Sequence, residues 1–184
     1  MLSTGLKERT KEAHQALEGI VIRQIKAIQN KEQYRALLYK FYGFHFPMEQ
    51  LFDKYFTDEI VPSYSRRRRA GVITEDLTHL GGTSTNIPLA TDLPVIDSLA
   101  KALGAFYVLE GSTQGGTIVA NMLIKHVGLT PETTSFFSAY GDDKTLWASF
   151  REKLDSYPDD PSFQEEVIAA ANDTFTALKN WMIV

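Results

Sequence analysis

Apolar residues recur along most of this chain at spacings of three and four, and they alternate with polar residues only rarely. Such spacing places the apolar side chains on one face of an α-helix, whereas a strand would show alternation. We therefore expect an all-α protein. The predicted helices cover residues 4–18, a short piece to 30, 31 to about 60, 76–80, 94–109, 117–128, 131–140, 144–156 and 161–182.

A few residues predict where these helices begin, bend and end. Ser3 or Thr4 is a suitable N-cap for the first helix, and Gly19 is expected to break it or to start a new one. Pro47 predicts a kink or a break in the third helix. The segment GGTSTNIPLATDLP is the longest clear loop.

Three glycines, Gly111, Gly115 and Gly116, interrupt what otherwise resembles one continuous helix. Each costs about 1 kcal/mol relative to alanine in a helix interior, so some other interaction must offset that cost. One explanation is close helix packing through the pair Gly111 and Gly115, and this is the favoured one without other information. The alternative is a flat ligand lying against bare backbone at a bend in the helix.

Length and composition narrow the function classes. The 184 residues, 43% of them hydrophobic, suit one domain spanning 1–184. The net charge of -4 argues against a nucleic-acid or anionic membrane partner, and no cysteine is present for thiolate chemistry or sulfur ligation. No apolar run approaches the roughly 18 residues of a membrane span, and no signal segment opens the chain, so we expect a cytoplasmic protein.

His14 lies at the edge of an amphipathic helix. At about 100° per residue, Leu17 belongs to the apolar stripe, while His14, Lys7, Lys11 and Glu18 lie side by side along its border. A neutral imidazole there can bind a metal while Glu18, one turn on, orients its second nitrogen. By position alone, however, an ordinary solvated histidine is the more frequent case.

His14 at the edge of its helix and the glycines at 111, 115 and 116 together suit one kind of ligand. A planar tetrapyrrole such as heme combines one axial metal, an apolar disc and peripheral carboxylates, which the two lysines could meet. Glycine on the opposite wall would leave room for a small diatomic molecule. Ser112, Thr113 and Gln114 are the polar side chains of that turn and could hold water.

These segments resemble a known family. LKERTKEAHQALE at 6–18 and GAFYVLEGSTQGG at 104–116 are similar to the proximal and distal helix motifs of heme oxygenases, in particular the bacterial branch that produces biliverdin. The stretch from Tyr64 through the arginine run to His79, Leu80 and Gly81 resembles the family as well. The glycine-rich motif is weak alone, but together with His14 in this order and at this separation it is specific.

The resemblance implies an all-α fold that sandwiches heme between a proximal helix and a kinked, glycine-rich distal helix. It implies His14 as the proximal iron ligand and Glu18 as the partner of His14. Lys7 and Lys11 match positions that contact the heme carboxylates, and Arg151 matches another such contact more loosely. Phe175 in the last helix is expected to line the heme pocket.

The catalytic positions implied by the resemblance are Gly111, Ser112, Gly115 and Gly116. Many family members carry an aspartate directly after the first distal glycine, where this chain has Ser112. The resemblance therefore leaves the proton-delivery residues open, and we interpret the serine as variation within the bacterial branch and not as loss of function. Glu110 precedes that glycine, but one residue turns it about 100° away on a helix, and we do not assign it this role.

The reaction implied is oxidation of heme, both cofactor and substrate, by O2 and electrons to biliverdin, CO and ferrous iron. The partners implied are an external electron donor, either a reductase or a ferredoxin, and a bilin-accepting protein. The leading alternative is a heme carrier or sensor of the same fold without turnover. A related helical enzyme acting on a thiamin fragment ranks last, because that chemistry depends on a nucleophilic cysteine.

The remaining polar features favour ordinary structural explanations. His45, His79 and His126 show no metal-ligand spacing and are expected to be structural or surface residues. The run of arginines at 66–69 could contact an acidic partner protein, but a solvated face is the favoured interpretation.

Overall fold

The protein is described by a computed structural model that covers residues 1–141 and 143–183. The predicted all-α fold is confirmed, because the described residues contain helices and turns and no strand. The α-helices are α1 (Leu2–Arg9), α2 (Lys11–Ala27), α3 (Lys31–Phe52), α4 (Gly71–His79), α5 (Leu99–Gly111), α6 (Gly116–Val127), α7 (Ser135–Ser138), α8 (Thr145–Asp155) and α9 (Pro161–Ile183).

The first predicted helix is divided at a different residue from the one expected. The break lies at Thr10, between α1 and α2, and α2 continues through Gly19, so the prediction of a break at Gly19 is wrong. Ser3 and Thr4 lie inside α1 and are not its N-cap. The Ser3 amide and hydroxyl instead donate to the Asp155 carboxylate, at 2.8 and 2.6 Å, which ties α1 to α8.

α3 begins as predicted but ends earlier. The Asn30 side chain accepts from the Gln33 amide at 2.9 Å and caps its N-terminus. Pro47 lies inside the helix without ending it. The helix ends at Phe52 and not near residue 60. α4 begins at Gly71, five residues before the predicted start at Asp76, and ends next to Leu80.

The glycine-interrupted helix is confirmed in outline. α5 begins at Leu99, with Ser98 as its N-cap, and not at Pro94. Its C-terminal end leads into a 3₁₀ turn, Ser112–Gly115, after which α6 resumes. We call residues 111–116 the glycine bend. The predicted helix 131–140 is instead a 3₁₀ turn, Pro131–Thr133, followed by the short α7.

The core is built around α9, which lies along α5 on one side and against α2 on another. Gly104 allows the close approach of α5 and α9, because a Cβ there would overlap the Val167 carbonyl. α1 contacts both α8 and α9. α9 therefore positions both α2 and α5, the helix that leads into the glycine bend. Among the helices of the described residues, none has the length and apolar composition needed to cross a bilayer.

Candidate functional site

His14 lies on α2, one turn after the break at Thr10, and its amide donates to the Thr10 carbonyl at 2.9 Å. The residue is exposed, in agreement with its predicted position at the edge of the apolar stripe. Its ring rests on Phe175 of α9, with the ring centroids 5.5 Å apart and the planes inclined at 51°. Phe175 itself is buried, so it provides a rigid support for an exposed imidazole.

Lys7, Lys11 and Glu18 are all exposed, like His14. Lys7 lies in the last turn of α1 and Lys11 begins α2, so the break at Thr10 separates the two lysines. Glu18 follows His14 by one turn of α2, and its link to the imidazole stays a prediction. This end of the two helices combines one histidine with two cations, a set suited to an anionic ligand.

The glycines of the bend have three different surroundings. A Cβ on Gly116 would overlap the Phe137 carbonyl, so this glycine is explained by close packing against α7. A Cβ on Gly111 would lie 3.4 Å from the Trp147 ring. Gly115 has open space around the position of its missing Cβ. Close backbone packing at the pair Gly111 and Gly115, the favoured expectation, is therefore not found.

A cavity of about 290 Å³ lies between the ends of α2 and α6, and Lys26 and His126 contribute polar groups to its lining. Ile25 and Ile28 line it from the end of α2, and Met122 and Leu123 line it from α6. Nearer the glycine bend, Ile118 of α6 is 76% exposed. α6 thus carries an exposed apolar side chain two residues after the glycine bend.

The arginine run is a solvated face only at Arg66, which is exposed. Arg67 is buried and Arg68 and Arg69 are half-buried, so that interpretation is wrong for most of the run. Arg67 forms an ion pair with Glu110, and their side chains are 1% and 3% exposed. Arg67 also donates to the carbonyls of Pro62 and Leu146, at 2.8 and 2.9 Å. Since Glu110 directly precedes Gly111, this pair anchors the start of the glycine bend from inside the protein.

Arg68 contacts the same bend two residues further on. Its Nη2 donates to the Ser112 hydroxyl at 2.9 Å and to the Leu109 carbonyl at 3.1 Å. Its guanidinium carbon lies 4.2 Å from the centroid of Phe136. Two consecutive arginines therefore bond the residues on either side of Gly111: Arg67 pairs with Glu110, and Arg68 donates to Ser112.

A small polar cavity of about 20 Å³ lies next to the arginines, lined by His45 and Glu49 of α3 among other residues. It is large enough for one water molecule. His45 is buried, its Nδ1 bonds the Phe41 carbonyl at 2.9 Å, and its Nε2 has no protein partner. Burial lowers the pKa of His45 to about 3, and burial raises the pKa of Glu49 to about 7.

Arg151 is exposed on α8, one turn after Trp147. Trp147 in turn contacts Tyr107 of α5, with ring centroids 5.3 Å apart. Burial raises the pKa of Tyr107, and the positive charge of Arg151 opposes that shift. Arg151 therefore lies on the α5 side of α8, near the start of the glycine bend, and its contact with a ligand stays a prediction.

Sequence reasoning missed Arg67, Arg68 and Tyr140 as neighbours of the bend. The Tyr140 hydroxyl donates to Glu110 Oε2 at 3.3 Å and accepts from the Arg68 backbone amide at 2.7 Å. One signal was available, because Glu110 is a lone carboxylate near the end of a strongly apolar helix. Such a residue is almost never buried without a partner. The identity of the partner depends on tertiary structure.

The part of the chain that the structure describes contains no group of three or more His, Asp or Glu side chains able to hold a bare metal ion. A single exposed histidine instead suits a metal whose other ligands belong to an organic macrocycle. His79 and His126 are exposed and His45 is buried, as expected for surface and structural residues.

Comparison with known proteins identifies the family of this chain. The family model described as heme oxygenase matches residues 1–183. The chain is 24% identical over 194 residues to heme oxygenase 1 of Nostoc sp., an alignment that covers 95% of this chain and 81% of that protein. It is 30% identical over 110 residues to heme oxygenase of Xanthomonas campestris, covering 59% and 64%.

Two solved structures share the fold. One is heme oxygenase-1 from the cyanobacterium Synechocystis sp. in complex with heme, with a TM-score of 0.77 and 21% identity over 99% of this chain and 90% of that one. The other is heme oxygenase from Leptospira interrogans, with a TM-score of 0.78 and 21% identity over 98% of both chains. On the match over residues 1–183, this chain belongs to the heme oxygenase family.

Proposed function

We propose that this protein binds heme between α2 and the glycine bend and opens it, with O2 and electrons, to biliverdin, CO and ferrous iron. The observations that support the proposal are an exposed histidine on α2 and an open glycine after α5, two helices that both pack against α9. His14 rests exposed on the buried Phe175 ring, and Gly115 has open space where a side chain would lie. Heme is the substrate, and its iron supplies the oxygen chemistry when it is bound.

His14 is the proposed iron ligand. A neutral imidazole binds iron through one nitrogen, and its second nitrogen is normally held by a carboxylate, a carbonyl or water. Glu18, one turn along α2, is the proposed partner. The Phe175 ring limits how far the imidazole can swing, because this side chain of α9 is buried in the core and cannot move aside without opening it.

The proposed contacts with the heme carboxylates are Lys7, Lys11 and Arg151. The two lysines are exposed at the His14 end of the helices, and Arg151 is exposed on α8. Cations at the rim pair with carboxylates while the apolar disc is buried, which is the usual division of a cofactor site. The exposed Ile118 is apolar surface that such a disc would cover.

On the other wall, the proposed roles of Gly111 and Gly115 are to leave space, and that of Ser112 is to hold water. Gly115 is open, and Gly111 meets only the edge of Trp147. The Ser112 hydroxyl donates to the Leu109 carbonyl at 2.6 Å, so its remaining capacity is to accept. Gly116 contributes through its close contact with Phe137, which fixes where α6 begins.

Two external partners are part of the proposal. The oxidation consumes electrons, so a reductase or a ferredoxin is the proposed donor. A bilin-accepting protein is the proposed recipient of the product.

The test is to load the purified protein with hemin, add an electron donor under air, and follow the Soret band and the biliverdin absorbance. Decay of the Soret band with appearance of biliverdin is expected. The variant His14→Ala is expected to lose most of this activity. His79→Ala removes an exposed histidine on α4 and is the matched control, expected to behave like the unaltered protein.

Other outcomes would overturn the proposal. Failure of the unaltered protein to bind hemin would exclude heme as the substrate. A stable hemin complex that yields no bilin with a competent donor would indicate a carrier or sensor, the alternative that the serine at position 112 leaves open. Equal activity in His14→Ala and the unaltered protein would exclude His14 as the ligand.

A further inference from the structure

Arg68 and Ser112 form a closed hydrogen-bonded group with the Leu109 carbonyl. Arg68 Nη2 donates to both the Ser112 hydroxyl and the Leu109 carbonyl, at 2.9 and 3.1 Å. The Ser112 hydroxyl donates its only proton to the same carbonyl at 2.6 Å. Ser112 therefore has no proton left to give, and it retains one lone pair with which to accept.

The guanidinium of Arg68 has little freedom to move. It lies on the Phe136 ring, and its Nη1 is 3.4 Å from the Phe136 carbonyl. The backbone amide of Arg68 donates to the Tyr140 hydroxyl at 2.7 Å. Contacts with the chain around α7 on one side and with the bend on the other thus fix this side chain before any ligand binds.

The charges around Arg68 leave its positive charge only partly balanced. Glu110 of α5 is already paired with Arg67, and Tyr140 is neutral at ordinary pH because burial raises its pKa to about 12. From α3, His45 stays neutral, and Glu49 interacts with Arg69. Burial lowers the pKa of Arg68, but an arginine remains protonated in proteins.

We propose that Arg68 is a positioning residue of the glycine bend, which orients the Ser112 hydroxyl as an acceptor and places a permanent positive charge beside it. This inference rests on the proposed function, since it assigns a role within that site. It also accounts for a serine at position 112: the serine orients water, and the charge is supplied by the arginine behind it.

The first experiment needs no heme. Hydrogen exchange of the segment 111–116 is measured by mass spectrometry on the ligand-free protein and on Arg68→Met, Arg68→Lys and Arg66→Met. Arg68→Met is expected to raise exchange in this segment about tenfold, because the bend loses the hydrogen bonds that Arg68 donates to the Ser112 hydroxyl and the Leu109 carbonyl. Arg66→Met removes the same charge from an exposed neighbour and is expected to leave exchange unchanged.

The second experiment uses the ferric hemin complex. Its visible spectrum is recorded against pH, and the pH midpoint of the spectral change is measured. A nearby cation favours loss of a proton, so removing the charge in Arg68→Met is expected to raise this midpoint by about half a pH unit or more. Arg68→Lys keeps the charge and is expected to keep the midpoint. Its ammonium ends one bond short of the position of Arg68 Nη2, from which both the Ser112 hydroxyl and the Leu109 carbonyl are bonded, so its exchange is expected to stay high. Its aliphatic stem retains the Phe136 contact, so it still reports if Arg68→Met does not fold.

The outcomes separate this inference from the proposed function. Unchanged exchange in both Arg68 variants would overturn the positioning role, whether or not hemin binds. Equal shifts of the pH midpoint in Arg66→Met and Arg68→Met would show that the shift comes from general surface charge. That result would also overturn the positioning role of Arg68. Failure of the unaltered protein to bind hemin would overturn the proposed function while the exchange result still tests the position of the bend.

Discussion

Arg67 and Glu110 form an ion pair that is almost fully removed from solvent, directly beneath the first glycine of the bend. Two buried charges are tolerated only when they are paired and hydrogen-bonded. Here Arg67 has two further carbonyl acceptors, and Glu110 has Tyr140 nearby. The pair therefore joins the loop before α4 to the end of α5 and fixes the position of the glycine bend.

Removing one member of this pair should be costly. Glu110→Gln leaves Arg67 buried without a counter-charge, and we expect the free energy of unfolding to fall by about 3 to 5 kcal/mol. Urea unfolding measures it. Glu165→Gln breaks the exposed pair with Arg9 and should lower the free energy of unfolding far less, because water screens an exposed ion pair. Equal losses in the two variants would show that burial does not determine the strength of the Arg67 pair.

The two adjacent glycines of the bend should respond in opposite ways to alanine. Gly116→Ala would drive its Cβ into the Phe137 carbonyl, so we expect this variant to lose the native fold or to unfold well below the unaltered protein. Gly115→Ala meets no atom, has a negative φ of -105°, and should change stability by no more than about 1 kcal/mol.

Thermal unfolding of the ligand-free proteins checks this contrast, and hemin titration adds a second measurement. Under the proposed function, Gly115→Ala should weaken hemin binding although its fold is intact. Normal unfolding of Gly116→Ala would contradict the close packing at Phe137. Unchanged hemin affinity in Gly115→Ala would mean that this position does not face the ligand.

The sequence predicted the helices and the interruption at the glycine bend because both follow from local patterns. Ser98 and Asn30 cap helices in the manner their residue types suggest, but only Asn30 was placed at the right boundary by the periodicity. The break at Thr10 escaped prediction because threonine is tolerated inside helices, and the glycine at 19 gave the stronger local signal.

The site could be predicted only in part, for a similar reason. His14 and the glycines are recognisable as a motif, and their residue types carry the chemistry. The arginine run gives no such signal: consecutive charges normally mark a solvated face. Whether Arg67 lies in water or against Glu110, some 43 residues later in the chain, depends on how α5 and the preceding loop pack.

His45 should make the protein sensitive to acid. Its pKa is lowered to about 3 by burial and by the charge of Arg68. The unfolded chain takes up a proton on this residue below about pH 6.5, whereas the folded protein resists it. Stability from His45 is thus present above pH 6.5 and is lost as the pH falls toward 3, by on the order of 5 kcal/mol in all.

The measurement compares urea unfolding of the unaltered protein and of His45→Leu at several pH values. The difference in stability between them should shift in favour of His45→Leu as the pH falls from 6.5 to 3. Glu49 acts in the opposite direction between about pH 4.5 and 7, because its pKa is raised, and it lines the same cavity as His45, so the comparison is made below pH 4.5 as well, where Glu49 is protonated in both states. A difference independent of pH would contradict the prediction.

Phe175 is the residue that connects the core to the proposed iron ligand. Phe175→Leu keeps most of the apolar volume, so the free energy of unfolding should fall by no more than about 1.5 kcal/mol. The imidazole would lose the ring it rests on, and the hemin dissociation constant should rise about tenfold. Phe163→Leu is the matched control, since Phe163 lies on the same helix but stacks on Tyr157, with centroids 5.0 Å apart. If both variants weaken hemin binding equally, Phe175 acts through general stability and not through the orientation of His14.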